Sequence, residues 1–172
     1  MNLEFYNSKR PFREIRAVYN EDTVRVYQAF SKEIALPALD AQTFVPPFRT
    51  DGVVSWVKPS FLWCMKRTHW GKYTRISRKN TAAEEENNAI VLGIEINRSF
   101  FEHILSIAFV THRDEFLEID PHTWKRNYQK ANVRVQWDPE KNFTGGERSF
   151  KAIQIGIKDR KSTRLNSSHE WI

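Results

Sequence analysis

Val53-Val54-Ser55-Trp56-Val57-Lys58-Pro59-Ser60-Phe61-Leu62-Trp63-Cys64-Met65-Lys66-Arg67 is the stretch on which the fold turns. Val53 to Lys58 combines β-branched and aromatic residues and reads as a strand. Pro59 fits the first turn of a helix through about Arg67, because the first turn leaves its N–H groups unpaired and proline has none to lose. That helix carries Phe61, Leu62, Trp63 and Met65 around an apolar stripe. Lys66 and Arg67 fall at its C-terminal end, where the helix dipole favours cations. A strand that hands over directly to a helix is the unit of a mixed α/β domain.

The alternation continues on both sides. Upstream, Thr23 to Phe30 alternates as a strand, with Val24, Val26 and Gln28 on one face and Arg25, Tyr27 and Ala29 on the other. Ser31 suits an N-cap for a helix from Lys32 to Ala41, and Pro37 predicts that this helix is short or kinked. Phe12 to Tyr19 reads as a short strand or a turn-rich entry, after a loose arm over residues 1–11. Downstream, Gly71 to Asn88 is polar and aperiodic, an exposed loop. Ala89 to Ile96 is a strongly apolar strand, expected at the centre of a sheet. Asn97 caps a helix from Arg98 to about Phe109, with Phe101, Ile104, Leu105 and Ala108 on one side. Asp120-Pro121 opens a helix through roughly Lys130. Val133 to Trp137 and Lys151 to Ile157 are the last strands, separated by the Gly145-Gly146 turn. The tally is a single α+β domain over residues 12–158, a mixed α/β arrangement of 4–6 strands with 3–4 helices.

Composition bounds the function. The 172 residues are 40% hydrophobic and 13% aromatic, values of a globular chain. Cys64 is the one cysteine, which excludes an internal disulfide framework, and beside Trp63 and Met65 it reads as a core residue. No apolar run approaches the ~18 residues of a membrane span, and the N-terminus lacks a signal-peptide pattern. The expected setting is cytoplasmic, with no membrane partner. A pI near 9.5 fits an anionic partner or a solvated basic surface equally well. The histidines and Cys64 do not sit at zinc-ligand spacings, and neither a P-loop nor a dinucleotide-binding glycine fingerprint occurs.

Three patterns can carry chemistry. At Lys58-Pro59-Ser60 a lysine and a serine stand where a strand enters a helix, a place suited to an anion; the same residues are also plain capping chemistry. In Val133-Arg134-Val135-Gln136-Trp137-Asp138-Pro139-Glu140 the polar positions Arg134 and Gln136 share a face, and Asp138 and Glu140 are expected just past the strand end. An acid there can act as a general base or orient a ribose hydroxyl. The mixture of Trp63, Lys66, Arg67, Trp70, Lys72 and Arg75 suits single-stranded nucleic acid, with rings stacking on bases and cations following phosphates. A snorkelling surface accounts for the same residues.

Six motifs carry a resemblance. They are Arg13-x-Ile15-Arg16-Ala17-x-Tyr19, Val26-Tyr27-Gln28-Ala29, Phe44-Val45-Pro46-Pro47-Phe48, Trp56 to Trp63, Val133 to Glu140, and Ile153-Gln154-Ile155-Gly156. Together they resemble the domain of unknown function family 4291 from about Arg13 to Ile157. That resemblance implies a fold and no established activity, and members of the family usually continue past the Gln-Ile-Gly strand. At fold level, the order of strands and helices is similar to that of ADP-ribosyltransferases, which hold NAD between split sheets. The similarity implies a nucleotide- or NAD-handling transferase. Its ligand-binding candidates are Arg16, Tyr19, Tyr27, Gln28, Lys58, Ser60, Arg134, Gln136 and Gln154, and Glu140 or Glu147 is the acid/base candidate. Gln28 stands where such enzymes carry His or Arg. The alternative is a non-catalytic nucleic-acid-binding module using Trp63, Lys66, Arg67, Trp70, Lys72 and Arg75.

The end of the chain reads differently. Asp159 to His169 matches the in-frame translation of a sequencing-library adapter at all eleven codons. Residues 159–172 are therefore expected to be a non-native tail on a C-terminally truncated domain. Leaving them out lowers the formal net charge of +6 by one unit.

Overall fold

The computed structural model describes residues 12–48, 54–72, 89–112 and 119–158. The expected arm over residues 1–11, the tail over 159–172 and Arg75 lie outside them. The described elements run β1 (Thr23–Phe30), α1 (Lys32–Ala41), β2 (Val54–Val57), α2 (Phe61–Arg67), β3 (Ile90–Asn97), α3 (Arg98–Ser106), β4 (Phe109–Val110), α4 (Pro121–Lys130), β5 (Val133–Lys141) and β6 (Glu147–Lys158). Among the described residues the domain is mixed α/β, with six strands in two sheets and four helices.

β1 and β3 form an antiparallel pair, and a second sheet has the order β2-β6-β5-β4. β4 joins β5 in parallel, and the other pairings are antiparallel. Tyr27 and Lys58 link the two sheets: the Tyr27 N–H donates to the Lys58 carbonyl at 2.6 Å and the Lys58 N–H returns the bond at 3.0 Å. Among the described residues this is the one backbone pair that links the two sheets.

The hydrophobic core lies on one face of both sheets. Val24, Val26 and Phe30 of β1, Leu92, Ile94 and Ile96 of β3, Val133 and Val135 of β5, and Ile153, Ile155 and Ile157 of β6 are buried there with α1 and α3. The helices contribute Ala35, Ala38, Phe100, Phe101 and Ile104. Strand alternation predicts this sharing of faces. α2 and α4 contact the opposite face, through Phe61 on Tyr27, Ser60 on Glu140, and Trp124 and Tyr128 on Phe109.

Local chemistry explains most boundaries. Asn97 Oδ1 accepts from the Phe100 N–H at 3.2 Å, and Asp120 accepts from the His122 and Thr123 N–H groups, with Pro121 beginning α4. Both are side-chain caps of otherwise unpaired donors. Ser60, not Pro59, sets the start of α2, because its Oγ accepts from the Trp63 N–H at 3.1 Å. Pro59 therefore precedes the helix instead of opening it. Ser31 occupies the N-cap of α1 without a side-chain capping bond, and α1 runs through Pro37 to Ala41.

Three expectations are corrected. α3 stops at Ser106, and Phe109 begins a short strand beside β5 instead of ending the helix. β3 is not central; among the described residues it pairs only with β1, and Gly93 is exposed. The last hairpin is longer than its apolar stretches, because β5 continues through Pro139 to Lys141 and β6 starts at Glu147. Proline is accommodated at bulges, and the register of this hairpin shifts between Pro139 and Lys141. Glu140 consequently sits within a strand, not beyond it. β6 itself is an inner strand, between β2 and β5.

Candidate functional site

Carrying the β2–β6 register of Val57↔Ile155 one residue further sets Lys58 opposite Gln154. Gln154 pairs with Gln136 on β5, and Lys58 pairs with Tyr27 on β1. Directly opposed residues share a face, so Tyr27, Lys58, Gln154 and Gln136 form one transverse row across the junction of the sheets. It lies on the face away from the core, where Arg134, Asp138 and Glu140 follow the same alternation along β5.

The floor of this face is polar and ordered. Gln136 Nε2 donates to Asp138 Oδ1 at 2.8 Å, and Gln154 Nε2 donates to Asp138 Oδ2. A carboxylate only accepts, so these bonds fix both amides with their nitrogens on Asp138. The amide oxygens of Gln136 and Gln154 are the acceptors left for other groups. Beside them Gly156 takes the Trp56 indole at close range: a Cβ there would lie 2.9 Å from its ring atoms.

α2 and the turn before it make one wall. Lys58 is 8% exposed, and its ammonium lies 4.9 Å from the Trp63 ring centroid, a cation–π arrangement suited to a desolvated amine. Phe61 meets Tyr27 edge to face at 5.2 Å. Ser60 serves twice, capping α2 and donating to Glu140 Oε1 at 2.8 Å. The Lys141 N–H also donates to Oε1, so both bonds to this carboxylate fall on the same oxygen. The α2 N-terminus is thereby occupied by Ser60, and the capping reading of Pro59-Ser60 suffices there.

α4 makes the other wall. Trp124 and Tyr128 stack at 5.3 Å and 12°, and Phe109 meets both edge to face. The Arg134 guanidinium lies 4.1 Å from the Tyr128 ring centroid, and its Nε donates to the Tyr128 carbonyl at 3.1 Å. Near the hairpin end, Arg16 covers the Phe150 ring at 3.4 Å and pairs with Glu14 at 2.8 Å, and its Nη2 is buried without a hydrogen-bond partner.

Tyr27, Lys58, Ser60, Gln136, Gln154, Arg134 and Glu140 thus gather on this face, and Arg16 lies on Phe150, four residues along β6 from Gln154. Three of the nominated residues do not join them. Gln28 points to the core side between Val26 and Phe30, with its Oε1 buried and unpartnered. Tyr19 is 67% exposed at the far end of β1, under the Arg98 guanidinium. Glu147 is an exposed hairpin residue held by Lys141 at 2.8 Å. Of the basic-aromatic set, Lys66, Arg67, Trp70 and Lys72 are exposed on and after α2, whereas Trp63 turns inward toward Lys58. Trp124 and Tyr128 are site residues that the sequence patterns do not single out, and Asp138, read as an acid past the strand end, instead anchors the two glutamines within β5. The signal for Trp124 and Tyr128 is the four-residue spacing of two aromatics on one helix.

Other features stand apart from this face. A shallow depression lies between α1 and β3, lined by Ala38, Leu39, Gln42, Thr43, Phe44, Leu92, Gly93 and Ile94, without a titratable side chain. Cys64 is buried, and burial pushes its thiol up. Among the described residues no group of three His, Cys, Asp or Glu side chains converges, and no helix is long and apolar enough to cross a membrane.

No curated protein and no solved structure matches the chain. The family described as Domain of unknown function (DUF4291) matches residues 14–172, continuing past the Ile157 limit read from the motifs. The chain belongs to that family.

Proposed function

We propose that this protein is a nucleotide-handling transferase of ADP-ribosyltransferase-like character, with NAD or a related nucleotide as ligand and the face between α2 and α4 as its site. The single observation that carries the reading is the transverse row Tyr27, Lys58, Gln154 and Gln136, set across the Tyr27–Lys58 pair that links the two sheets. A dinucleotide offers phosphates, hydroxyls and flat rings together. The row and its walls offer matching partners: the Lys58 and Arg134 cations, the amide oxygens of Gln136 and Gln154, and the aromatic edges of Tyr27 and Trp63.

Glu140 is the acid/base group of this reading. Ser60 and the Lys141 N–H hold Oε1, which leaves Oε2 to take the proton of an attacking hydroxyl or amine. Arg16, with one buried guanidinium nitrogen unpaired, is the candidate for the phosphate end. Gln28, Tyr19 and Glu147 have no part in it. The setting we propose is cytoplasmic, where such nucleotides are available.

Thermal unfolding of the protein with and without NAD, ADP-ribose or ATP tests the proposal. A ligand at a hundredfold excess over its dissociation constant stabilises the folded state by about 2.7 kcal/mol, a clear shift in melting temperature. Lys58→Met and Gln154→Ala should each reduce that shift. No shift with any of the three at millimolar concentration overturns the reading.

A further inference from the structure

The charge of the two walls is one-sided. Neither α2 nor α4 contains an Asp or Glu. α2 exposes Lys66 and Arg67, and Lys72 follows it. α4 exposes His122, Lys125, Arg126, Gln129 and Lys130, which fall at helical spacing on one outward stripe. The layer behind the sheet is balanced: α1 carries Lys32 with Glu33 and Asp40, and α3 carries Arg98 with Glu102. The acids of the cleft are already engaged, Asp138 by two glutamines and Glu140 by Ser60. Asp120 is spent on the α4 cap, and Glu147 on Lys141.

α4 packs on the sheet through one aromatic side. Its inner side is the Trp124–Tyr128 stack, closed by Phe109 on one side and Arg134 on the other. From Glu140, beneath α2, to Arg134, beneath α4, is six residues along β5, about 20 Å. Two cationic ridges therefore run either side of a polar floor. One of them is followed by Trp70, an indole 49% exposed on a turn of positive φ.

We propose that this face docks a single strand of nucleic acid, laid from the α2 ridge across the cleft to the α4 stripe, with Trp70 stacking on a base. The occupant follows from complementarity. Phosphates at regular intervals suit cations on two ridges, and an exposed ring beside them suits a base face. An anionic membrane fits less well, because the α4 stripe has no apolar residue to insert among lipids. The inference deepens the proposed function by naming a macromolecular acceptor for the same cleft, and its test is independent of NAD.

Fluorescence anisotropy of the full chain with a labelled oligothymidylate of about 12 nucleotides reads it directly. Single-strand binding releases counterions with a slope of about −0.7 per phosphate contact in log affinity against log salt. Six cations on the two ridges give a slope near −4, and the triple variant Lys125→Gln, Arg126→Gln, Lys130→Gln reduces it by about two units. Trp70→Ala weakens binding about tenfold, and Lys32→Gln on the opposite layer leaves it unchanged. A slope unaltered in the triple variant, an unaffected Trp70→Ala, or equal affinity for polyglutamate or anionic vesicles overturns the proposal. If NAD stabilises the protein while oligonucleotides do not bind, this inference fails alone. If oligonucleotides bind with the expected slope while no nucleotide stabilises, the docking surface stands and the transferase reading falls.

Discussion

Ser60 joins the fold to the site more directly than any other residue, and Ser60→Ala should show it. The alanine removes the cap on the Trp63 N–H, a loss that typically costs about 1 kcal/mol. It also removes the hydroxyl that donates to Glu140. Hydrogen bonds to charged groups contribute about 1.5–3 kcal/mol, but this carboxylate is only half-buried and keeps the Lys141 N–H, so about 1 kcal/mol is the appropriate share. Together these give about 2 kcal/mol. For a domain of this size roughly 2–4 °C is lost per kcal/mol, so thermal unfolding followed by circular dichroism should fall by about 4–8 °C. Ser60→Thr keeps the hydroxyl and should stay within about 0.5 kcal/mol of the parent, the span of ordinary surface changes. Ser60→Asp keeps the cap but faces Glu140 with a second carboxylate, so it should melt below Ser60→Thr. If Ser60→Ala melts within about a degree of the parent, neither bond has the role assigned to it, and Glu140 loses its orienting partner.

Three further outcomes follow from the geometry. Gly156→Ala sets a Cβ 2.9 Å from the Trp56 indole, and such overpacking should cost about 1–3 kcal/mol in urea unfolding. In a Trp56→Ala background the same Gly156→Ala change should cost much less, and an unaffected Gly156→Ala would remove Trp56 from that place. Burial raises the Cys64 thiol, so the folded protein should resist iodoacetamide at neutral pH and react only once denatured; prompt native alkylation would contradict its burial. The Thr123 and His122 bonds hold the Asp120 carboxyl below its ordinary range. The unfolded chain therefore binds that proton more readily, and the stabilisation is present above the unfolded-state value and lost as pH falls through the folded one. Asp120→Asn should flatten the acid limb of stability against pH, and an unchanged limb would show that the cap is not formed.

The parts of the fold that the sequence disclosed are those written in adjacent residues. Asn97 and Asp120-Pro121 announce their helices because a cap is a contact between residues two or three apart. Thr23 to Phe30 announces its buried face because alternation is local. What stayed hidden depended on distant partners. Ile90 to Asn97 is apolar enough for a central strand, yet nothing in it reveals that, among the described residues, only β1 lies beside it. Pro139 looked like a strand end because its tolerance depends on the bulge opposite Lys151. The same division holds for the site. Lys58, Gln136 and Gln154 were each visible as polar residues in strands, but their row exists only through a register spanning β1, β2, β6 and β5. Gln28 and Tyr19 were drawn in by family motifs, and alternation alone already set Gln28 with Val24 and Val26 on what became the core face.

The most direct measurement is a two-dimensional nitrogen–proton NMR titration with NAD, following the side-chain amides of Gln136 and Gln154 and the backbone amides of Tyr27, Lys58 and Ser60. These signals should move together along one saturable curve, and the amides of Leu92 and Ile94 beside the α1–β3 depression should stay in place. Glutamine side-chain signals unmoved at millimolar NAD, or shifts confined to that depression, would contradict the account.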